Sequence, residues 1–142
     1  MTRRIVYVCL AIVIVAQLVP VERDNPPEIA PLLAPAEVAA VLERSCYDCH
    51  SNRTAWPWYA HVAPVSWWVA HDVSEGREHL NFSQWEELPV EKRRHVAGKI
   101  VEEVSGGGMP PAIYLRLHPA AAASGTDLNL LQHWARAHDA PE

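Results

Sequence analysis

The sequence predicts an all-α domain. Four stretches of the chain carry apolar residues spaced three and four positions apart, which is the spacing of one face of a helix. No stretch alternates apolar and polar residues for long, as a half-buried strand would. The composition of the 142 residues, 49% hydrophobic and 20% charged, is typical of one folded domain with short extensions. The net charge of −5 provides no basic surface, so we expect no nucleic-acid partner.

Residues 1–20 have the pattern of an export signal or a membrane anchor. Arg3 and Arg4 precede an apolar run, Ile5–Val19, which ends at Pro20. The run is long for the core of a signal peptide and short for a full membrane span of about 20 residues. Because no small-x-small cleavage site fits, we favour an uncleaved single-pass helix in the cytoplasmic membrane over a cleaved signal. The arginines would stay in the cytoplasm, which places the domain on the periplasmic or extracytoplasmic side.

Residues 21–35 are predicted to form a Pro-rich linker. Its prolines, Pro26, Pro27, Pro31 and Pro35, remove backbone donors and favour extended chain. Such a segment is suited to a semi-rigid spacer that holds the domain off the membrane. The sequence does not distinguish this arrangement from one in which the segment wraps on the domain surface.

The folded domain is predicted over residues 36–142, and its first helix is the clearest. Pro35 suits the start of this helix, which leads directly into the main motif of the chain. A second helix covers Pro64–Leu80, and a third covers Pro89–Val104 and ends at the glycines that follow. A last helix runs from about Thr126 to His138, with Thr126 or Asp127 as its cap. The apolar positions that define the four helices are Val38, Val41, Leu42, Ser45 and Cys46; Val65, Trp68, Val69 and Val73; Val90, Val96, Ile100, Val101 and Val104; and Leu128, Leu131 and Trp134.

The main motif is the string Cys46-Tyr47-Asp48-Cys49-His50. Each thiol can add to one vinyl group of haem, and two cysteines three residues apart on a helical turn match two neighbouring vinyl groups. The next residue, His50, is then held against the porphyrin and ligates the iron. The string therefore predicts haem c, attached covalently through Cys46 and Cys49 with His50 as an iron ligand.

Three other interpretations of this motif stay open. A zinc site needs four ligands, and a later histidine would have to complete it because the chain has only three cysteines. A thioredoxin-like thiol pair needs a βαβ context, which the helical pattern does not provide. A structural disulfide between Cys46 and Cys49 would leave His50 unexplained.

Met109 is the predicted second ligand of the iron. It follows three glycines and precedes Pro110 and Pro111. The glycines permit a tight turn and the prolines stiffen its far side, so the loop can present the thioether in a fixed position. Ligation by His and Met raises the reduction potential relative to two nitrogen ligands. His118 is the best alternative ligand, and His61 is the next.

Further motifs surround the attachment string. They are Ser51-Asn52, Trp56-Pro57-Trp58-Tyr59, Val62-Ala63-Pro64-Val65-Ser66-Trp67, Asp72-Val73, Gly76-Arg77, Leu80-Asn81-Phe82-Ser83, Trp85, Met109-Pro110-Pro111, Tyr114 and Leu117-His118-Pro119. With these motifs the chain resembles the bacterial haem-binding domain family, small single-haem relatives of the cytochromes c, over roughly residues 37–134. The resemblance implies a small cytochrome c-like helical domain, covalent haem c, export and a role in or near electron transfer. It places Met109 at the position of the sixth iron ligand.

Two pairs of residues are predicted to surround the haem. Trp56 and Trp58 follow the attachment string closely and could wall one side of the ring, with their indole N–H groups donating to the propionates. Arg53 and Arg77 are candidate partners for the propionates because guanidinium groups pair well with carboxylates.

The predicted function is electron transfer by a membrane-tethered, single-haem c-type cytochrome that is not itself an enzyme. This function is favoured because Met109 would fill the sixth position of the iron and because the sequence shows no group of catalytic residues. The redox partner would be another protein, which the sequence does not identify, and the N-terminal segment would contact the membrane. The alternative is a haem-based sensor or a peroxidase-like enzyme, which needs an iron position that can open and a distal acid or base.

Overall fold

The computed structural model describes residues 2–139. Over this range the chain forms α-helices and short 3₁₀ helices without a strand, which confirms the all-α prediction. The last residues of the predicted domain, 140–142, lie outside the described part of the chain. The α-helices within the range are α1 (Thr2–Ala16), α2 (Ala36–Ser45), α3 (Tyr47–His50), α4 (Val65–His79), α5 (Val90–Gly106), α6 (Ala112–Leu117) and α7 (Gly125–Asp139). The 3₁₀ helices cover Trp58–His61, Phe82–Glu87 and Pro119–Ala121.

The four predicted helices of the domain correspond to α2, α4, α5 and α7, and their ends differ from the prediction by at most two residues. α5 is capped at its C-terminal end by Gly107, whose φ of 75° lies in the left-handed region that favours glycine. The predicted cap of α7 is wrong. Ser124 caps the helix instead, because its Oγ accepts from the N–H of Asp127 (3.1 Å) while the Asp127 carboxylate accepts from the N–H of Ser124 (2.7 Å).

The core lies between α5 and α7, with α2 packed on α7. A column of stacked aromatic rings runs through it. Tyr47 stacks on Phe82 at a centroid distance of 5.1 Å, Phe82 on Trp85 at 5.9 Å, and Trp85 contacts Trp134 at 5.6 Å. Phe82 and Trp85 are fully buried. Because Tyr47 belongs to the Cys-x-x-Cys-His string, the column joins that string directly to the core.

The prediction of a single-pass membrane anchor is wrong. α1 covers Thr2–Ala16 and so ends before Val19. At 1.5 Å per residue, its 15 residues extend about 22 Å, whereas the hydrocarbon core of a bilayer is about 30 Å thick. Among the residues that the structure describes, no helix has both the length and the apolar character needed to cross a membrane. The predicted location of the chain as a single-pass protein of the cytoplasmic membrane is therefore not supported.

Residues 21–35 lie along the domain instead of standing off it. The backbone N–H of Ile29 donates to the carbonyl of Ser83 (3.2 Å), and that of Leu32 donates to the carbonyl of Phe82 (2.8 Å). The side chain of Leu32 is part of the core. Of the two arrangements that the sequence left open, the structure has the wrapped one, and we call residues 21–35 the strap.

Candidate functional site

Cys46, Cys49 and His50 lie on one tight turn at the junction of α2 and α3. The carbonyl of Cys46 accepts from the N–H of Cys49 (3.2 Å) and from that of His50 (2.9 Å). The two thiols are free, with no disulfide between them. Within residues 2–139 no group of three or more His, Cys, Asp or Glu side chains could hold a metal ion, so the zinc interpretation has no support there.

The imidazole of His50 is held in one orientation by the end of α4. Its Nδ1 lies 2.9 Å from the carbonyl of Gly76 and 3.2 Å from the carbonyl of Leu80. A carbonyl can only accept, so Nδ1 carries the proton and Nε2 keeps its lone pair. Burial lowers the pKa of His50, which keeps the ring neutral. His50 is therefore prepared to bind a metal ion through Nε2, with the backbone carbonyls fixing the ring.

Gly76 lets α4 approach the attachment turn closely. A Cβ at this position would lie 2.5 Å from the carbonyl oxygen of Cys49, a distance that real Cβ atoms do not reach. The same residue supplies the carbonyl that accepts from His50. Sequence analysis gave Gly76 no role, although a glycine inside a helix costs about 1 kcal/mol relative to alanine and so is itself a signal of close packing.

The thiols of the turn are weakly acidic in the folded chain. Burial, with a contribution from the neighbouring thiol of Cys49, raises the pKa of Cys46 from 9.0 to about 12. Burial and then the charge of Asp48 raise the pKa of Cys49 from 9.0 to about 11. Because the thiolate is the nucleophile, both groups are poor nucleophiles at neutral pH once the chain is folded.

Asp48, between the two cysteines, links the turn to α6. Its Oδ2 accepts from the hydroxyl of Tyr114 (2.6 Å) and its Oδ1 accepts from the N–H of Ala55 (2.9 Å). Tyr114 stacks on His118 with a centroid distance of 4.3 Å, and Nε2 of His118 lies 2.6 Å from the hydroxyl of Tyr59. We call these four residues, Asp48, Tyr59, Tyr114 and His118, the aromatic brace.

Sequence analysis missed the aromatic brace, since no local pattern relates Asp48 to a residue 66 positions away. The brace also bears on the alternative ligand. Nε2 of His118 already has the Tyr59 hydroxyl as its hydrogen-bond partner, which makes His118 less available to an iron ion.

The two predicted arginines have protein partners. Arg53 forms an ion pair with Glu43 (2.8 Å) and lies over the ring of Tyr47. Arg77 donates to the carbonyl of Ser51 (2.8 Å) and to the hydroxyl of Thr54 (2.9 Å), as well as to groups of the strap at Asp24 and Asn25. Their pairing with haem propionates stays a prediction.

Trp56, Trp58 and Met109 offer groups that a ligand could use. The indole N–H of Trp56 is buried and has no hydrogen-bond acceptor among the described residues, so an acceptor from a ligand would complete it. Trp58 is 78% exposed. Met109 lies on the loop between α5 and α6, and its side chain is 40% exposed. Contact between these residues and haem stays a prediction.

Exposed apolar side chains lie on α4 and α6, two elements that contact the attachment turn. Val65 and Trp68 are exposed on α4, and they share a helical face with Asp72 and Gly76, because the four residues are spaced three and four apart. That face contacts the turn at Cys49. Exposed apolar side chains also recur every four residues from the Met109 loop into α6, at Met109, Ile113 and Leu117. These exposed apolar side chains, the Nε2 of His50 that the carbonyls leave unbound, and the buried indole N–H of Trp56 without an acceptor suit the apolar faces, iron and carboxylates of a porphyrin.

Comparison with known protein families found a match that covers most of the chain. The sequence model of the haem-binding domain family matches residues 11–137. The match includes the strap, the attachment turn, the Met109 loop and the aromatic brace. No curated protein and no solved structure matches the chain.

Proposed function

The chain belongs to the haem-binding domain family, and from this membership we propose that it holds haem covalently, as haem c, and acts as an electron carrier, not an enzyme. Cys46 and Cys49 would form the thioether bonds, and His50 and Met109 would hold the iron. The observation that carries the proposal is the orientation of His50, whose Nδ1–H is bound by two carbonyls so that Nε2 is left for iron.

The attachment uses only groups of the chain and the porphyrin. The S–H of Cys46 and that of Cys49 each add across one vinyl C=C bond, so that a new S–C bond forms and the hydrogen passes to the other vinyl carbon. The addition consumes no oxidant and no reductant. The spacing of the two thiols on one turn suits neighbouring vinyl groups.

The residues around the turn have properties that suit electron transfer. When bound, haem supplies a one-electron redox centre. The carbonyls of Gly76 and Leu80 fix the ring of His50 and strengthen Nε2 as a donor. Met109, as a soft sulfur ligand, would favour the ferrous state and keep small molecules off the iron. The exposed apolar side chains of α4 and α6 would pack on haem and exclude water from it.

Haem staining of a denaturing gel and mass spectrometry test the attachment. The protein, produced in a host with haem c maturation, should carry one haem that survives denaturation. Cys46→Ser and Cys49→Ser should each lose one thioether bond, and the double variant should lose the stain. Cys9→Ser is the matched control, since this exposed thiol lies on α1 outside the motif. An apoprotein mass with free thiols at positions 46 and 49 would contradict the proposal.

A haem-based sensor or peroxidase-like enzyme is the second candidate function. It is favoured by the exposure of Met109, because a ligand on a solvent-exposed loop can leave the iron more readily than a buried one. The absorption spectrum of the ferrous protein with and without carbon monoxide distinguishes the two candidates. An electron carrier should bind carbon monoxide slowly, whereas fast and complete binding would favour the sensor or enzyme.

A further inference from the structure

We propose that Asp48 and Tyr114 are a positioning pair that holds the Met109 loop against the haem-attachment turn and so keeps Met109 on the iron. This inference rests on the proposed function, because it assumes that Met109 is an iron ligand. It assigns a role to Asp48, one of the two residues between the cysteines, whose identity the attachment chemistry itself leaves undefined.

Asp48 is fixed from the side of the turn. Its Oδ1 accepts from the N–H of Ala55 (2.9 Å), and its carbonyl accepts from the hydroxyl of Thr54 (2.8 Å). Its Oδ2 then accepts from the hydroxyl of Tyr114 at 2.6 Å, the short distance expected of a charge-assisted hydrogen bond. The carboxylate therefore links the attachment turn to a different part of the chain.

Tyr114 lies near Met109 in the chain, which connects the pair to the predicted ligand. Tyr114 comes five positions after Met109, so their Cα atoms cannot be farther apart than about 17 Å. The near end of the loop is fixed to α5, because the N–H of Met109 donates to the carbonyl of Glu103 (3.2 Å). The far end continues into α6, on which Tyr114 lies.

α6 has little core packing to hold it in place. None of its residues is buried, and Ile113 and Leu117 are half exposed or more. The position of a helix usually depends on the apolar face that it buries. Because α6 buries no such face here, the hydrogen bond from Tyr114 to Asp48 becomes a main determinant of where α6 and the Met109 loop lie.

The brace supplies a matched control for this role. The hydroxyl of Tyr59 also forms a 2.6 Å hydrogen bond, with Nε2 of His118, at the other end of α6. That bond ties α6 to the Trp58–His61 segment and does not reach the attachment turn. Tyr59→Phe therefore removes a phenol hydroxyl of similar geometry without touching Asp48.

Variants of the mature haem protein test the inference. Tyr114→Phe should retain both thioether bonds by mass, weaken the sulfur-to-iron absorption band of the ferric protein, and speed carbon monoxide binding to the ferrous protein about tenfold. Asp48→Asn, which keeps one amide oxygen for Ala55, should act in the same direction. The double variant should add little to either single one, because both remove the same charge-assisted hydrogen bond. Tyr59→Phe should change the rate much less.

Failure of the inference and failure of the proposed ligation are distinguishable. If the original protein has a sulfur-to-iron band that Met109→Ala removes, but Tyr114→Phe behaves like Tyr59→Phe, the positioning role is overturned and Met109 remains a ligand. If the original protein lacks the band and Met109→Ala changes nothing, the ligation is overturned together with the positioning role. Should Tyr114→Phe fail to fold, Asp48→Asn decides by the same two measurements.

Discussion

His50 receives its orientation from backbone groups at the C-terminal end of α4, not from another side chain. Both of its partners, the carbonyls of Gly76 and Leu80, belong to the peptide backbone. A substitution of the side chain at position 80 would therefore leave that acceptor in place. Burial also sets the protonation of these side chains, because it keeps His50 neutral and Cys46 and Cys49 protonated.

These pKa shifts predict how the stability of the apoprotein depends on pH. The folded pKa of His50 is lowered from 6.5, so the unfolded chain binds the proton first and stability falls as the pH drops below about 6.5. The pKa of Cys46 is raised from 9.0 to about 12, so the unfolded thiol ionises first and stability falls as the pH rises from 9.0 towards 12. Urea unfolding of the apoprotein over a pH series measures both slopes.

Substitution of His50 and Cys46 shows how much of the pH dependence of stability comes from these two residues and how much from other groups. His50→Gln should reduce the loss of stability in acid, and Cys46→Ser should reduce the loss in alkali. Equal slopes in variant and original protein would show that other residues cause them.

The sulfur ligand predicts a change of reduction potential. Met109→Ala should leave haem attached, remove the sulfur-to-iron band and lower the potential by part of the roughly 0.8 V that axial ligands can span. Spectroelectrochemical titration measures the potential. His61→Ala is the control, since His61 is exposed on a 3₁₀ helix and should leave spectrum and potential unchanged. If Met109→Ala leaves both unchanged as well, Met109 only packs in its loop.

At the scale of elements, the contact between α3 and α4 depends on the missing side chain at Gly76. Gly76→Ala should destabilise the protein by about 1–3 kcal/mol, because its Cβ would meet the carbonyl of Cys49. Gly98→Ala on α5 is the matched control. Nothing lies within 4 Å of a Cβ there, so the change should be neutral or stabilise by up to about 1 kcal/mol. Denaturant unfolding compares them, and equal effects would contradict a close approach at Gly76.

Sequence periodicity predicted the long elements and missed the short ones. α2, α4, α5 and α7 are each ten residues long or more, which is enough for a repeated apolar face to be recognised. α6, with six residues, and the 3₁₀ helix Phe82–Glu87 are too short to do so. The cap at Ser124 was readable as Ser-x-x-Asp.

The candidate site was predictable only where its chemistry is local. Cys46, Cys49 and His50 lie within one string of five consecutive residues, so their spacing could be recognised from the sequence alone. The partners of that string could not, since Asp48 meets Tyr114 across 66 residues and His50 meets Leu80 across 30. Such pairs depend on the packing of α4 and α6, which periodicity does not specify.

At the scale of the whole molecule, the strap is part of the folded domain. Leu32 is 9% exposed and belongs to the core, whereas its neighbour Leu33 is 80% exposed. Leu32→Ala should therefore lower the free energy of unfolding by about 2–4 kcal/mol. Leu33→Ala, the matched control, should stay within about 0.5 kcal/mol of the original protein. Thermal or urea unfolding measures the difference, and similar values for both variants would show that the strap contributes no packing.

The strap also imposes an order on biosynthesis. A ribosome releases the chain from its N-terminus, so the strap emerges first, the Cys46–His50 turn second, and the carbonyls of Phe82 and Ser83 that bind the strap last. Until those carbonyls have been synthesised, the hydrogen bonds that hold Ile29 and Leu32 of the strap cannot form. The two thiols are meanwhile exposed to water, with the ordinary reactivity that burial later suppresses. Under the proposed function, the thiols would therefore react with haem more readily before the domain closes around the turn than after it.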